Sequence, residues 1–366
     1  MDIQLPINLK RSVMALGGDL KCRPACAARN TVRLFDEIGD LASPENQDAL
    51  EQLMEGQVPE SIVADLHPGY FSTNLASRMA HEKKIPLILV QHHRAHVAAV
   101  CLEHGLFAEP VIGLAFDGTG YGDDGSVWGG EFFTGSLAGG FARQAHFASL
   151  PVPGGDLAVR QPWRIVVALL HERGVPFEII EKWMRTNGLP ERDLGLFLAA
   201  LKTGGNLGRS TALGRWFDAV SALLGIRLEA KFEAEPAIAL QKAAEENLRS
   251  DALPWAIDLE YRENIIIDFG DLPELAVNLP NGPGYQALAF HQAAAEASFR
   301  VVQSLAERVD TDMVVLSGGC FFNALFTRLL IELLDRDGFI CIRPQLLPPG
   351  DQALALGQIG LVLTQA

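Results

Sequence analysis

The sequence predicts an α/β protein in two lobes, from three observations. Short apolar runs that stop at glycine alternate with segments of helical periodicity, as strands flanked by helices do. The chain has 366 residues, 48% of them hydrophobic, which is more than one compact core usually holds. A strand–turn–helix cycle occupies the first third and a second cycle starts after it. The expected lobes are 1–109 and 110–350, with the closing helix of 351–366 packing back on the first.

In order, SVMALGG (12–18) reads as a buried strand ending in a glycine turn, with TVRLF (31–35) as its hairpin partner. NQDALEQLM (46–54) has helical spacing. SIVADLHPGY (61–70) is a strand stopped by His67-Pro68-Gly69, and STNLASRMAHEKK (72–84) a helix capped by Ser72. IPLILVQ (85–91) is another buried strand, and the helix after it ends near Gly105. PVIGLAFDGTGYG (110–122) is a strand and a glycine turn; SVWGGEFFTGSL (126–137) and FARQAHFASL (141–150) are strands. Residues 158–250 are mostly helical by pattern, interrupted at TGGNLGRS (203–210). Residues 285–309 form one long amphipathic helix, 312–336 a strand, glycine turn and helix, and 348–363 a turn and a final helix.

Composition excludes several classes. The formal charge of −15 repels phosphate backbones, so nucleic acid is not an expected partner, although a nest of backbone N–H groups can still hold an anion. The cysteines, Cys22, Cys26, Cys101, Cys320 and Cys341, are odd in number and lack zinc-finger spacing, which fits reduced thiols in a cytosol. MDIQLPINLKRS has no apolar h-region, and no run of about 18 apolar residues follows, so a cytoplasmic chain without signal peptide or membrane span is expected.

Three strand-to-glycine turns, ALGG (15–18), FDGTG (116–120) and LSGG (316–319), suggest ligand contact. Glycine lets backbone amides approach a phosphate closely, and a following helix points its positive end there. For any single site a plain turn is the commoner explanation. Three of them over two cycles favour a nucleotide clamped between two lobes of mixed sheets and helices, the plan of the actin-like (ASKHA) ATPases. GTGYGDDG precedes a strand rather than opening a helix, so it is not a dinucleotide fingerprint.

LVQHHRAHVAAV (89–100) holds His92, His93 and His96. On a helix His92 and His96 are i and i+4 and share a face, while His93 points about 100° away. Two imidazoles one turn apart are a platform for a metal; the missing ligands would be carboxylates on converging loops. Asp117, at the end of a buried strand, and Asp351, opening the last helix, are the candidates. Spacing alone leaves equally open that the histidines are exposed or hydrogen-bonded and that Asp351 is a helix cap. His93 stands where H-E-x-x-H has its glutamate, so the zinc-protease base is missing. His93 is expected in outer hydrogen bonding or solvent.

QHHRAHVAAVCLEHGL, GLAFDGTGYGDDGSVWGGEFF, DLHPGYFSTNLA, LPVPGGDLAVRQPWRIVVALL, ALGRWFDAVSALLGI and LSGGCFFNALF together resemble the C-terminal catalytic domain of the hydrogenase-maturation carbamoyltransferases, the HypF family, from about Val13 to the end. That family is related to the tRNA threonylcarbamoyl-transferases and antibiotic O-carbamoyltransferases. The resemblance implies a metal on His92, His96, Asp117 and Asp351 beside the nucleotide phosphates. It implies that Gly118, Thr119, Gly120, Gly318 and Gly319 border those phosphates, that Asp156 and Asp218 lie near the ribose, and that Asn323 belongs to the second loop. Asp218 as a helix-surface carboxylate and Asn323 as a cap are the ordinary alternatives. Two departures stand out. Full-length members carry acylphosphatase, zinc-finger and adenylating domains that nothing here matches, so an excised domain or a naturally short form is expected. In FEAEPAIAL (232–240), Ala234 and Glu235 replace a glycine and an amide on the adenine side.

The chemistry implied by the resemblance joins carbamoyl phosphate and ATP, with Mg, into a carbamoyl-adenylate. The carbamoyl group then passes to the C-terminal cysteine of a HypE-like partner, on the way to the cyanide ligand of nickel–iron hydrogenase. Mixed N/O ligands suit Fe(II), Zn or Mn. Asp117 would act through that ion, and Arg160, Arg164 and Lys21 could meet phosphate; the arginines are equally readable as solvated helix residues. The competing readings are a carbamoyl-phosphate-hydrolysing enzyme of the same pathway and an actin-like sugar or carboxylate kinase.

Overall fold

A computed structural model describes residues 1–5, 9–189, 207–248, 253–270 and 272–363, with 195, 197, 199 and 201. Residues 203–206 of the expected helix interruption lie outside the described residues. The chain divides into two compact units: Met1–Gln144 with Val302–Phe321 and Gly338–Ala366, and Ala145–Val301 with Phe322–Asp337.

The apolar runs of the first unit are strands. One sheet follows the order β1 (Asp2–Gln4), β4 (Thr31–Leu34), β3 (Ala25–Ala28), β2 (Val13–Ala15), β5 (Ser61–Asp65), β6 (Leu87–Val90). β2, β5 and β6 run parallel while β3 and β4 are antiparallel, so the sheet is mixed. β5 is buried along its whole length, as a central parallel strand must be. β2 pairs with β3, and Thr31–Leu34 pairs with β3 instead of β2. The expected hairpin is thus displaced by a strand, Ala-Cys-Ala-Ala, whose small side chains give no β-type pattern.

Helices α1 (Pro44–Glu55), α2 (Phe71–Lys83) and α3 (His92–Glu103) belong to this unit. Ser72 does not cap α2. Its N-cap is Tyr70, and the acceptor comes from Asp19, which takes N–H bonds from Phe71 (2.7 Å) and Ser72 (3.0 Å) and the Ser72 hydroxyl (2.8 Å).

In the same unit β8 (Gly130–Ser136), β7 (Val111–Phe116), β14 (Met313–Ser317) and β15 (Ile340–Ile342) are neighbours in that order, with β14 parallel to β7 and β15. β9 (Gly140–Phe147) starts beside β8 and ends in the second unit, pairing there in parallel with β13 (Ile265–Phe269), whose antiparallel neighbour is β12 (Ile257–Tyr261). The second unit also holds the ribbon of β10 (Leu150–Val152) and β11 (Gly208–Ser210). Its helices are α4 (Asp156–Arg160), α5 (Trp163–Glu172), α6 (Phe177–Thr186), α7 (Leu213–Leu223), α8 (Glu235–Glu245), α9 (Leu272–Val277), most of α10 (Pro283–Val309), and α11 (Ala324–Arg336). Its core includes edge-to-face pairs of Trp216 with Phe269 and of Phe217 with Phe290.

The last helix, α12 (Leu354–Val362), lies in the first unit against α3 and also touches β2, β3 and β5. Glycine permits the approach: a Cβ on Gly357 would stand 1.7 Å from the Ala95 carbonyl oxygen. Among the described residues no helix is long and apolar enough to cross a membrane.

Candidate metal centre

Four segments of the first unit converge at their ends. α3 starts directly after β6, and Gln91 caps it by accepting the Arg94 N–H at 2.9 Å. His92 and His96 are therefore one turn apart at the buried start of the helix. Asp117 follows the last residue of β7. Gly318 follows β14 at φ +102°, where a Cβ would meet the Phe116 carbonyl oxygen at 2.2 Å. Asp351 opens the short turn that leads into α12.

His96 Nε2 stands 3.1 Å from Asp117 Oδ2 and 3.5 Å from Asp351 Oδ1. His92 Nε2 stands 3.6 Å and 3.8 Å from the same two atoms. All four donor atoms lie within 4.8 Å of one another. His92 Nε2 is buried and has no hydrogen-bond partner, a condition that costs about 1–3 kcal/mol unless something binds there. Donors on a sphere of about 2.1 Å radius stand roughly 3–4 Å apart, so two imidazoles and two carboxylates so placed fit a divalent ion.

Two family models cover the chain: the "HypF Kae1-like domain" matches residues 8–103, and "Carbamoyltransferase, Kae1-like Domain, second subdomain" residues 113–358. A carbamoyltransferase HypF homolog of Cupriavidus necator is 37% identical over 96% of this chain and 92% of its own length. The chain belongs to the HypF carbamoyltransferase family. The HypF carbamoyltransferase of Synechocystis is 32% identical over 98% of this chain, yet only 48% of its own length is covered. Full-length HypF in a phosphate- and nucleotide-bound crystal form is 29% identical, with a TM-score of 0.86 over 99% of this chain and 47% of that one. HypF of T. kodakarensis gives 27% and 0.87, over the whole chain and 48% of that one. The chain therefore spans about half the length of these longer HypF proteins. The α/β architecture, with mixed sheets flanked by helices, matches both crystal structures.

The glycine turns of this HypF-family chain hold the site together. Asp117 Oδ1 accepts N–H bonds from Gly118 (2.8 Å) and Gly319 (3.3 Å), while Gly318 N–H donates to the Pro349 carbonyl (2.8 Å). In the first turn both polar groups of Gly17 bind Gln358 of α12, at 2.9 and 3.1 Å. Thr119 is exposed. Gly120 is buried over His93, whose Cε1 would lie 2.4 Å from a Cβ there. Lys21 has a left-handed backbone, and its N–H donates to Asp40 (2.7 Å).

Burial disfavours charge on His92 and His96, but carboxylates override it and raise both above the ordinary imidazole range: chiefly Asp65 and Asp117 for His92, Asp117 and Asp351 for His96. Against its own burial, Asp117 is held well below the usual carboxylate range by the two imidazoles. His93 goes the other way, driven well below by burial and by His92. It is fully buried, which excludes the solvent alternative, and its Nδ1 accepts from the Gln91 side-chain amide at 3.0 Å.

Two neighbours of the site carried no sequence assignment. Asp65 ends β5, fully buried, with Oδ2 2.7 Å from His92 Nδ1 and Oδ1 accepting the His67 N–H (2.8 Å). An acid closing an otherwise apolar strand is the signal that could have found it. Tyr70 stacks on His67, and burial, then Asp65, Asp351, Asp19 and Asp117, raise its phenol well above the usual value.

The second unit holds the remaining candidates. Asp156 and Arg160 are exposed on α4. Arg164 donates to Gln161 (2.7 Å) and packs over Trp163 and Phe197. Asp218 is buried beside Arg215 (2.9 Å), and burial raises its carboxyl group; Asp218 Oδ1 and Arg215 Nε and Nη1 lack hydrogen-bond partners. Asn323 caps α11 through the Phe326 N–H (3.0 Å), and its amide nitrogen meets His291 Nε2 (3.0 Å).

Proposed function

We propose that this chain is a metal- and nucleotide-dependent carbamoyltransferase of hydrogenase maturation, passing the carbamoyl group of a carbamoyl-adenylate to the C-terminal cysteine of a HypE-like partner. The observation that carries this reading is the orphaned His92 Nε2 facing Asp117 and Asp351 in a chain of the HypF family. In the transfer, the cysteine thiolate forms a C–S bond to the carbamoyl carbon, the C–O bond to phosphate breaks, and AMP leaves. A divalent ion on His92, His96, Asp117 and Asp351, when bound, would polarise the carbonyl and anchor phosphate oxygens.

The chain's own groups have distinct tasks in this reading. Asp117 is fixed by two glycine amides so that only Oδ2 turns to the imidazoles. Gly118, Thr119, Gly120, Gly318 and Gly319 border the phosphates, with Lys21, Arg160 and Arg164 as cationic contacts. Asp156 and Asp218 take the ribose, and Asn323 shapes the second loop. ATP with Mg and carbamoyl phosphate are the proposed substrates, held between actin-like lobes of 1–109 and 110–350. Glu235 is engaged by the Lys231 N–H (2.7 Å) and by Arg227 (3.3 Å), so the adenine would be held without the family's amide.

The test follows label from carbamoyl phosphate to the partner's thiol, with and without ATP, with an adenylating domain supplied in trans. Wild type should transfer, and Asp117→Asn should not. Carbamoyl phosphate left untouched while a sugar or carboxylate is phosphorylated would replace this reading with a kinase.

A further inference from the structure

We propose that Asp65 is a positioning residue for the metal centre: it keeps a His92 proton on Nδ1 and so leaves Nε2 as the nitrogen that binds the metal. The inference rests on His92 being a metal donor. A carboxylate only accepts, so the 2.7 Å contact of Asp65 Oδ2 with His92 Nδ1 requires the proton on that nitrogen. Asp65 and His92 are at most 1% exposed, so no water competes for the contact. The other ring nitrogen is the orphaned one, 3.6 and 3.8 Å from the Asp117 and Asp351 oxygens. Oδ1 is claimed by the His67 N–H at 2.8 Å, so the carboxylate is held from both ends.

That second bond makes the inference discriminating. In the isosteric Asp65→Asn, the His67 N–H still needs an oxygen, so the amide NH2 is turned to His92 Nδ1. That nitrogen must then accept, and the proton moves to Nε2, where it blocks the metal. Asp65→Ala merely removes the preference. The conservative substitution should therefore do more harm than the drastic one, the reverse of what a packing role predicts. Carboxylates behind metal-bound imidazoles typically change affinity 10- to 100-fold.

The experiment measures zinc dissociation constants by chelator competition, on the full chain purified without a histidine tag. Wild type, Asp65→Ala, Asp65→Asn and His92→Ala are compared, each with a metal-free melting curve. Asp65→Ala should bind about 10-fold more weakly than wild type and Asp65→Asn about 100-fold, although the isosteric variant melts no lower. Asp65→Asn binding within threefold of wild type, or more tightly than Asp65→Ala, overturns the inference while His92→Ala still loses zinc. If His92→Ala binds as wild type does, the metal reading itself fails and takes this inference with it.

Discussion

His93 and its neighbour His92 are held in opposite states by single side chains. Gln91 cannot flip: Oε1 takes the Arg94 N–H and Nε2 donates to the Tyr121 carbonyl and to His93 Nδ1. His93 is therefore neutral and turned from the ligand set. Metal analysis should find the ion retained in His93→Ala and lost in His92→Ala and Asp351→Ala; loss from His93→Ala alone would show the wrong face has been chosen. Proton release sets the pH dependence. His92 and His96 are raised in the metal-free fold, and a metal must displace their protons. Zinc affinity should keep rising above about pH 7.5, where an ordinary imidazole is already about nine-tenths neutral; a profile flat from there upward contradicts it. The linked stability of these two groups is fully present below about pH 6.5 and lost as pH rises through their folded values. Ala234 is a residue-scale departure with a physical consequence: it sits at φ +59°, which suits glycine. Ala234→Gly should raise stability by up to about 1 kcal/mol, the left-handed penalty less the extra unfolded entropy of glycine. Urea unfolding reads it.

At the element scale the site depends on α12 lying hard against α3. Gly357 makes that approach possible, and Gln358 satisfies both polar groups of Gly17. Gln358→Leu leaves a buried N–H and a buried C=O unpaired, which should cost about 2–6 kcal/mol at roughly 1–3 kcal/mol each. Gly357→Ala should push α3 away and weaken metal binding even in the fraction that folds; unchanged melting and unchanged zinc affinity would refute both. α12 was legible as a helix from its apolar run. Its return to the first lobe was an expectation, but its partner there was not, because an all-round apolar helix does not say which neighbour it meets. β12, β13 and β15 escaped the sequence reading for a different reason. They are short and partly exposed; β13 and β15 take their pairing from strands far away in the chain, and β12 is an edge strand held through β13.

Across the molecule, buried histidines oppose one another in their response to pH. His291 is fully enclosed, and burial lowers it to about 4. A depressed histidine stays neutral in the fold while the unfolded chain takes up a proton. Its contribution is complete above about pH 6.5 and declines towards pH 4, by about 1.4 kcal/mol per pH unit. His92 and His96 decline in the other direction, so the metal-free protein should be most stable near neutrality. Unfolding free energies from pH 4 to 9 check this. His291→Phe should flatten the acid limb and leave the alkaline one, and an unaltered acid slope counts against the assignment.

What the sequence determined by itself is whatever neighbours in the chain encode. Continuous apolar runs stopped by turn residues marked β5, β6, β7 and β14, helical periodicity marked α10, and the i, i+4 spacing alone put His92 and His96 on one helix face. The motif set marked the family for the same reason, since each motif is a short local string. Tertiary structure alone decided which distant groups complete them. Asp65 lies 27 residues before His92, Asp19 caps a helix 52 residues on, and Gln358 answers a glycine 341 residues away. These partners are chosen by burial: a polar group enclosed by the fold must find whatever donor or acceptor the packing brings to it, and no local pattern records which one that is.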